Sequence, residues 1–140
     1  MLHTALRREL HSPSQLVLGH VERYRMTVLA ALKRLPGLSH LGARRIVGLL
    51  RDLCRAGDLE RGTLFHHQAY FHLPRRNECE TTEQPELPDY RRGPLSETAK
   101  IRNYAILAFC CLGHVPRFRL TKPELLAHFP ALNRPGLPLN

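Results

Sequence analysis

The chain has little lysine and no long apolar segment. Only three of its 21 basic residues are lysine, and the other 18 are arginine. The longest apolar run, Ala105 to Leu112, is far shorter than the roughly 20 residues of a membrane-spanning helix. Arg7, Arg8 and Glu9 occupy the place where a signal peptide needs an apolar stretch. We therefore expect a cytoplasmic protein with no membrane span.

The sequence also lacks the motifs of metal sites and of common catalytic sites. Its four cysteines contain no CxxC pair, and its nine histidines do not complete the two ligand pairs that a structural zinc site needs. There is no Gly-rich phosphate loop, no GxSxG motif and no pair of carboxylates in an apolar setting. We expect no catalytic residue, no metal and no cofactor, and hence a protein that is not an enzyme.

Positive charge is what the sequence has in excess, with a formal net charge of +9 over 140 residues. Residues 1–62 contain 11 basic and 5 acidic groups, and residues 95–140 contain 6 and 2, whereas residues 63–94 contain 4 and 5. Arginine binds phosphate groups through a planar, bidentate fork. This charge predicts a polyanionic partner, and the alternative is a basic surface that is merely solvated.

The segment from Pro74 to Pro94 divides the two basic regions. It contains four prolines, charges of both signs and no apolar periodicity, which is the composition of a linker. The chain is therefore predicted to consist of two units, residues 1–73 and 95–140, joined by residues 74–94.

The two units resemble each other when the chain is shifted against itself by 94 positions. Residues 19–38 then align with residues 113–132, and nine of these twenty positions are identical. We interpret this as a duplicated unit. The identical pairs are Gly19/Gly113, His20/His114, Val21/Val115, Arg23/Arg117, Arg25/Arg119, Thr27/Thr121, Leu32/Leu126, Pro36/Pro130 and Leu38/Leu132.

Each copy is predicted to form a helix that ends at the glycine, a short strand, and a short helix that begins at the threonine and ends before the proline. Thr121 and Glu124 have the spacing of a capping box, whereas Thr27 lacks such a glutamate. The aromatic residues of the strands, Tyr24 and Phe118, are expected to face the core. The arginines beside them are expected to face solvent or DNA, namely Arg23, Arg25, Arg117 and Arg119.

A third helix is predicted over His40–Ala56, capped by Ser39 and ended by Gly57. Its apolar residues recur at spacings of three and four and form one stripe. Two extended runs, Leu59–Arg61 and Ala69–Leu73, are predicted to follow, joined by a tip with Gly62, His66 and His67. The stripe consists of Ala43, Ile46, Val47, Leu50, Leu53 and Cys54.

Val21 to Leu73 thus resembles the winged helix-turn-helix domain, in which a two-stranded wing follows the recognition helix. The phrase LLRDLCRAGDLER, residues 49–61, is similar to the junction of recognition helix and wing in bacterial regulators and in proteins of mobile genetic elements. The resemblance implies an α+β fold, mainly α. A second, incomplete winged-helix-like repeat is expected to follow it.

The resemblance also implies which residues contact DNA. The first half of the third helix enters the major groove in this family, and the wing contacts the backbone or minor groove beside it. Here the first half corresponds to His40, Arg44, Arg45 and Gly48. Phosphate contacts are expected from Arg51 and Arg55 further along the helix, and wing contacts from Arg61, His66 and His67.

The second copy is less complete than the first. Ser96 is predicted to cap a helix that reaches Leu112 and whose last eight residues are apolar on all sides. Two prolines follow Leu132 where the first copy begins its third helix. The sequence leaves open a continuation beyond residue 140, a half domain docked on the first unit, and a homodimer.

We therefore expect double-stranded DNA as the partner, bound by a transcription regulator or by the DNA-targeting part of a mobile-element protein. The alternative function is protein–protein interaction, for which winged helices also serve as rigid modules.

Overall fold

The computed structural model describes residues 11–75, 92–115 and 117–133. Within them the chain is mainly helical with a small antiparallel sheet of two strands, which confirms the expected class, α+β and mainly α. Most of the predicted linker, residues 76–91, and the proline-containing end, residues 134–140, lie outside the described residues. The main elements are α1 Pro13–Tyr24, α2 Leu29–Leu32, α3 Ala43–Ala56, β1 Glu60–Thr63, β2 Ala69–His72, α4 Glu97–Leu107 and α5 Lys122–His128.

Helix α1 passes through Gly19, so the prediction of a helix end at this glycine and a strand after it was wrong. The helix begins with a capping box between Ser12 and Gln15 and ends before Arg25, whose φ of 68° is left-handed. Its buried residues, Val17, Val21 and Tyr24 among them, keep the three- and four-residue spacing of one helical stripe across the glycine. Burial of this stripe outweighs the weak helix propensity of one glycine.

Helix α3 begins at Ala43, with Gly42 as its N-cap, and not at His40 as predicted. Ser39 is no cap, because the turns after α2 continue through it: its backbone N–H donates to the Leu35 carbonyl at 3.0 Å. The predicted end is confirmed, since Gly57 follows the helix with a φ of 80°.

The strands β1 and β2 form an antiparallel hairpin in which Glu60 lies opposite His72 and Gly62 opposite Tyr70. Gly62 was predicted at the tip but lies within β1, where a Cβ atom would collide with the Tyr70 ring. The tip instead runs from Leu64 to Gln68, closed by a 2.7 Å bond from the Leu64 N–H to the Gln68 carbonyl.

One bridge joins this hairpin to the segment between α1 and α2. The Thr27 N–H donates to the Phe71 carbonyl at 3.0 Å, and the Phe71 N–H donates back to the Thr27 carbonyl at 2.9 Å. Thr27 is fully buried, and α2 has Val28 rather than Thr27 as its N-cap. The prediction that Thr27 caps α2 was therefore wrong.

Two clusters of buried apolar residues form the core of the described chain. The first joins α1, α2, α3 and the ends of the hairpin, and the second joins the end of α1, the hairpin and α4. The first consists of Val17, Val21, Leu32, Leu38, Ile46, Leu50, Leu53, Leu59 and Leu73. The second consists of Tyr24, Met26, Val28, Ala31, Leu64, Tyr70, Leu95, Ala99 and Leu107.

Helix α4 thus shares a core with the first predicted unit. Ser96 caps it as predicted, accepting a hydrogen bond from the Ala99 N–H at 3.3 Å, and a π-helical turn, Ala108–Leu112, continues it. This end is apolar on all sides but is buried only in part: Leu107 is fully buried, whereas Phe109 is 63% exposed.

An ion pair connects α5 to α1. Both guanidinium Nη atoms of Arg23 donate to the Glu124 carboxylate, at 2.7 and 2.9 Å, and Arg23 also donates to the Arg119 carbonyl at 2.7 Å. The hydrogen bonds from Arg23 and then those from Thr121 lower the pKa of Glu124 to about 2. Arg23 was expected to face solvent or DNA. That expectation was wrong, because its guanidinium is paired with Glu124.

The capping box of Thr121 and Glu124 is confirmed, with the Thr121 N–H donating to Glu124 Oε2 at 2.7 Å. Two other equivalences differ between the copies. Gly19 lies inside a helix whereas Gly113 follows one, and Tyr24 is buried whereas Phe118 is 64% exposed. The first copy is shaped by its bridge to the hairpin, and the described part of the second copy has no such hairpin.

His20 is a buried titratable group in this core. It lies on α1 with 6% of its surface exposed, and its ring centroid is 4.7 Å from that of Tyr24. Burial first, and then the nearby charge of Arg23, lowers the pKa of His20 to about 4. The folded protein therefore keeps this imidazole neutral at pH values where the unfolded chain already binds a proton.

We predict that replacing His20 with glutamine reduces the acid sensitivity of the fold. Since the folded pKa lies below the unfolded value of 6.5, stability is lost as pH falls from about 6.5 to about 4. Between pH 7 and pH 5 the unmodified protein should lose about 2 kcal/mol more unfolding free energy than His20→Gln, as measured by urea denaturation. Equal losses in both proteins would contradict a buried, neutral His20.

Candidate nucleic-acid interface

The outer face of α3 is a row of arginines. Ile46, Leu50 and Leu53 turn inward and are buried, and at 100° per residue the opposite side of the helix holds Arg44, Gly48, Arg51 and Arg55. The three arginines are exposed and Gly48 is half-buried. The burial of one side therefore fixes the direction of the cationic side. We call Arg44, Gly48, Arg51 and Arg55 the arginine face.

Arg45 lies beside the arginine face and is also exposed. Neither Arg45 nor any arginine of the face forms an ion pair with another described residue, because the ion pairs of the described chain are those of Arg23, His72 and Lys100. The carboxylate of α3, Asp52, is exposed and lies three residues before Arg55, but no ion pair joins the two. The positive charge of α3 is therefore available to an external anion.

Gly48 has no structural reason of its own to be glycine. It lies within regular helix, and a Cβ atom there would have no neighbour within 4 Å among the described residues. A glycine in a helix interior costs about 0.8–1 kcal/mol relative to alanine. The helix accepts this cost without a gain in packing or in backbone conformation. Nothing among the described residues explains a glycine at this position.

The tip of the hairpin holds two exposed histidines in a strained conformation. His66 and His67 have φ of 57° and 60°, in the left-handed region that residues other than glycine rarely adopt. Such strain costs about 1–3 kcal/mol per residue and persists only where the surroundings impose it. Here Leu64 is buried in the second core, and the Phe65 ring meets the Tyr104 ring of α4 edge-on at 5.6 Å.

The remaining predicted site residues are also at the surface. Arg61 lies on β1 opposite Phe71 and is exposed, and His40 is exposed in the turn before α3 rather than within the helix. Eight of the nine predicted residues are thus exposed, and Gly48 is half-buried. The structure groups Arg44, Gly48, Arg51 and Arg55 on one face, and places Arg61, His66 and His67 on the hairpin.

Comparison with protein-family models, with curated protein sequences and with solved structures found no match. In the described part of the chain no helix is long and apolar enough to cross a membrane. Nor do three His, Cys, Asp or Glu side chains of these residues lie close enough together to hold a metal ion. The arginine face and the hairpin are therefore the features of the described chain that bear on function.

Proposed function

We propose that the chain binds double-stranded DNA through a winged-helix arrangement of α1 to β2. The order of elements supports this proposal: a helix, a short extended segment paired with the hairpin, two helices, and the hairpin itself. This is the order of the winged helix-turn-helix domain, in which α3 is the recognition helix and the β1–β2 hairpin is the wing.

The arginine face is the observation that most supports DNA as the partner. The major groove is about 12 Å wide and admits an α-helix with its side chains. Guanidinium groups pair in bidentate fashion with guanine edges and with phosphates. Gly48, in the middle of the face, allows the helix backbone to approach the DNA more closely than any side chain would.

The position along α3 suggests two kinds of contact. Arg44 and Arg45 lie in the first turn of the helix, the part that enters the groove in winged helices, and are proposed to contact base edges. Arg51 and Arg55 lie about two and three turns beyond Arg44 and are proposed to contact phosphates. On the hairpin, Arg61, His66 and His67 are proposed to contact the adjacent backbone or minor groove, and His40 the backbone before α3.

Within this proposal the protein acts in the cytoplasm as a transcription regulator or as the DNA-targeting part of a mobile-element protein. A protein-interaction module is the second candidate function. It is favoured by apolar side chains at the surface of α4 and the turn after it, where Ile101 is 61% and Phe109 63% exposed. The two candidates differ in what they require of α3, since only DNA binding depends on its arginines.

We predict that alanine substitutions on α3 separate base contacts from phosphate contacts. Arg44→Ala or Arg45→Ala should cost about 1–3 kcal/mol of binding free energy and relax the sequence preference. Arg51→Ala or Arg55→Ala should weaken all duplexes equally and reduce the slope of log affinity against log salt by about 0.9 each. Fluorescence anisotropy titrations at several salt concentrations measure both effects.

Arg102→Ala is the matched control for these variants, because Arg102 is an exposed helical arginine of α4 outside the arginine face. It should leave the sequence preference unchanged. It should lower affinity for duplex by no more than the loss of one positive charge does in general. If the four α3 variants behaved like Arg102→Ala, the arginine face would be a solvated surface. The interaction module would then be the better function.

We also predict that larger side chains at position 48 stabilise the fold and weaken DNA binding. Gly48→Ala should raise the unfolding free energy by about 0.8–1 kcal/mol, because the site has space and the glycine penalty is removed. Gly48→Leu should reduce affinity for duplex more than Gly48→Ala does, because the side chain holds the helix away from the groove. Unchanged affinity in both variants, measured beside urea unfolding curves, would show that no DNA backbone approaches α3 at this position.

A further inference from the structure

A cavity of about 870 Å³ lies between α1, α2 and the π-helical turn Ala108–Leu112. This volume lies within the range of small-molecule sites, about 300–1,000 Å³. Much of its wall is apolar and comes from all three elements and the segment after them. The apolar lining includes Leu16, Ala31, Leu35 and Phe118.

Two arginines stand at the edge of this cavity. Arg34 follows α2 and donates from Nη2 to the Gly113 carbonyl at 2.8 Å, and the Arg117 guanidinium lies 4.3 Å from the Phe109 ring centroid. Both are exposed, and each guanidinium has five N–H groups, more than these contacts use. Among the described residues, no aspartate or glutamate lines the cavity. The site is therefore positively charged.

His20 also lines the cavity, and it carries a buried polar atom without a hydrogen-bond partner among the described residues. The side chain is more than nine-tenths buried, and its Nε2 atom forms no hydrogen bond with any described residue. A buried polar atom without a partner costs about 1–3 kcal/mol. The low pKa of His20 keeps the ring neutral at pH 7, so that it can accept or donate one hydrogen bond without adding a charge.

The π-helical turn is a further reason to expect a ligand here. Such turns are rare and occur frequently at functional sites. This one exposes Cys110 and Cys111 to the cavity in place of a regular helical surface. Arg23 also borders the cavity, but its charge is balanced by Glu124. The positive charge at the edge of the site therefore comes from Arg34 and Arg117.

We propose that this cavity binds an amphipathic organic anion. Its oxyanion head pairs with Arg34 and Arg117, and its apolar body lies against Leu35 and Ala31 near the polar edge of His20. A purely polar anion would leave the apolar wall in water, and a cationic amphiphile would be repelled by the two arginines. The proposal does not depend on DNA binding, because none of these residues belongs to α3 or to the hairpin.

Calorimetric titration of the full chain with four probes tests this proposal. Undecanoate and decyl phosphate both contain a decyl chain, with a carboxylate or a phosphate head. Decyltrimethylammonium has the same chain with a cationic head, and acetate lacks the chain. All are used below the concentrations at which they form micelles. We expect saturable 1:1 binding of at least one decyl anion, about tenfold tighter or more than binding of decyltrimethylammonium, and none of acetate. The tighter of the two anions identifies the head group.

Variants locate the site. Arg34→Gln and Arg117→Gln should each weaken binding of the decyl anion about tenfold, and neither should weaken binding of decyltrimethylammonium, since each removes a repelling charge. Gly19→Leu should abolish binding without unfolding the protein. Gly19 lines the cavity from α1, has open space around it, and gains helix propensity on substitution. Arg102→Gln is the matched charge control and should have no effect, because Arg102 is an exposed arginine of α4 that is not among the residues lining the cavity.

The proposal is overturned by any of three results: no saturable binding of either decyl anion, equal affinity for the decyl cation, or anion binding that survives both arginine substitutions and Gly19→Leu. Because these readouts are ligand affinities, they are independent of the DNA titrations. A folded Gly19→Leu variant, checked by its circular dichroism and urea midpoint, excludes loss of structure as the cause of lost binding.

Discussion

The paired hydrogen bonds between Thr27 and Phe71 hold the two halves of the structure together. They join strand β2 to the segment between α1 and α2, and Thr27 is fully buried there. A buried N–H or carbonyl without a partner is costly, so the hairpin cannot shift along this segment without losing both bonds. The position of the hairpin relative to α1, α2 and α3 follows from this constraint.

The two hydrophobic clusters lie on either side of that connection. The first buries the inner stripe of α3. The arginines on the opposite side of this helix therefore point toward solvent. The second places Tyr70 and Leu64 of the hairpin against α4, and the Tyr70 hydroxyl accepts a hydrogen bond from the Leu95 N–H at 3.2 Å. Helix α4 thereby supports the strained tip that presents His66 and His67. Both parts of the proposed interface are consequences of core packing.

Sequence alone predicts what depends on neighbours along the chain. The end of α3 at Gly57 and the caps at Ser96 and Thr121 are local features, and each was predicted correctly. The arginine face follows from the 3.6-residue period of one helix, and its arginines were predicted to lie on that helix. Gly19 shows the limit of such reasoning. A glycine often follows the end of a helix, but Gly19 lies inside α1, because the buried stripe continues on both sides of it.

Features that depend on distant parts of the chain were missed. Thr27 resembles Thr121 in sequence, yet it pairs with Phe71 instead of capping a helix. The ion pair of Arg23 and Glu124 joins residues 101 positions apart, and the cavity beside His20 is formed by elements from both ends of the described chain. No local pattern encodes these contacts. Nine identities between the two copies therefore did not imply equal local structure.

The central claim is that the outer surface of α3 and the hairpin form one DNA-binding surface. The most direct test is a map of amide and arginine side-chain NMR shifts as a random-sequence duplex is added at low salt. The account predicts progressive shifts at residues 44–55 and 61–67, with the amides of α4 as an unaffected internal reference. Shifts confined to α4 and α5, or none at saturating duplex, would contradict it.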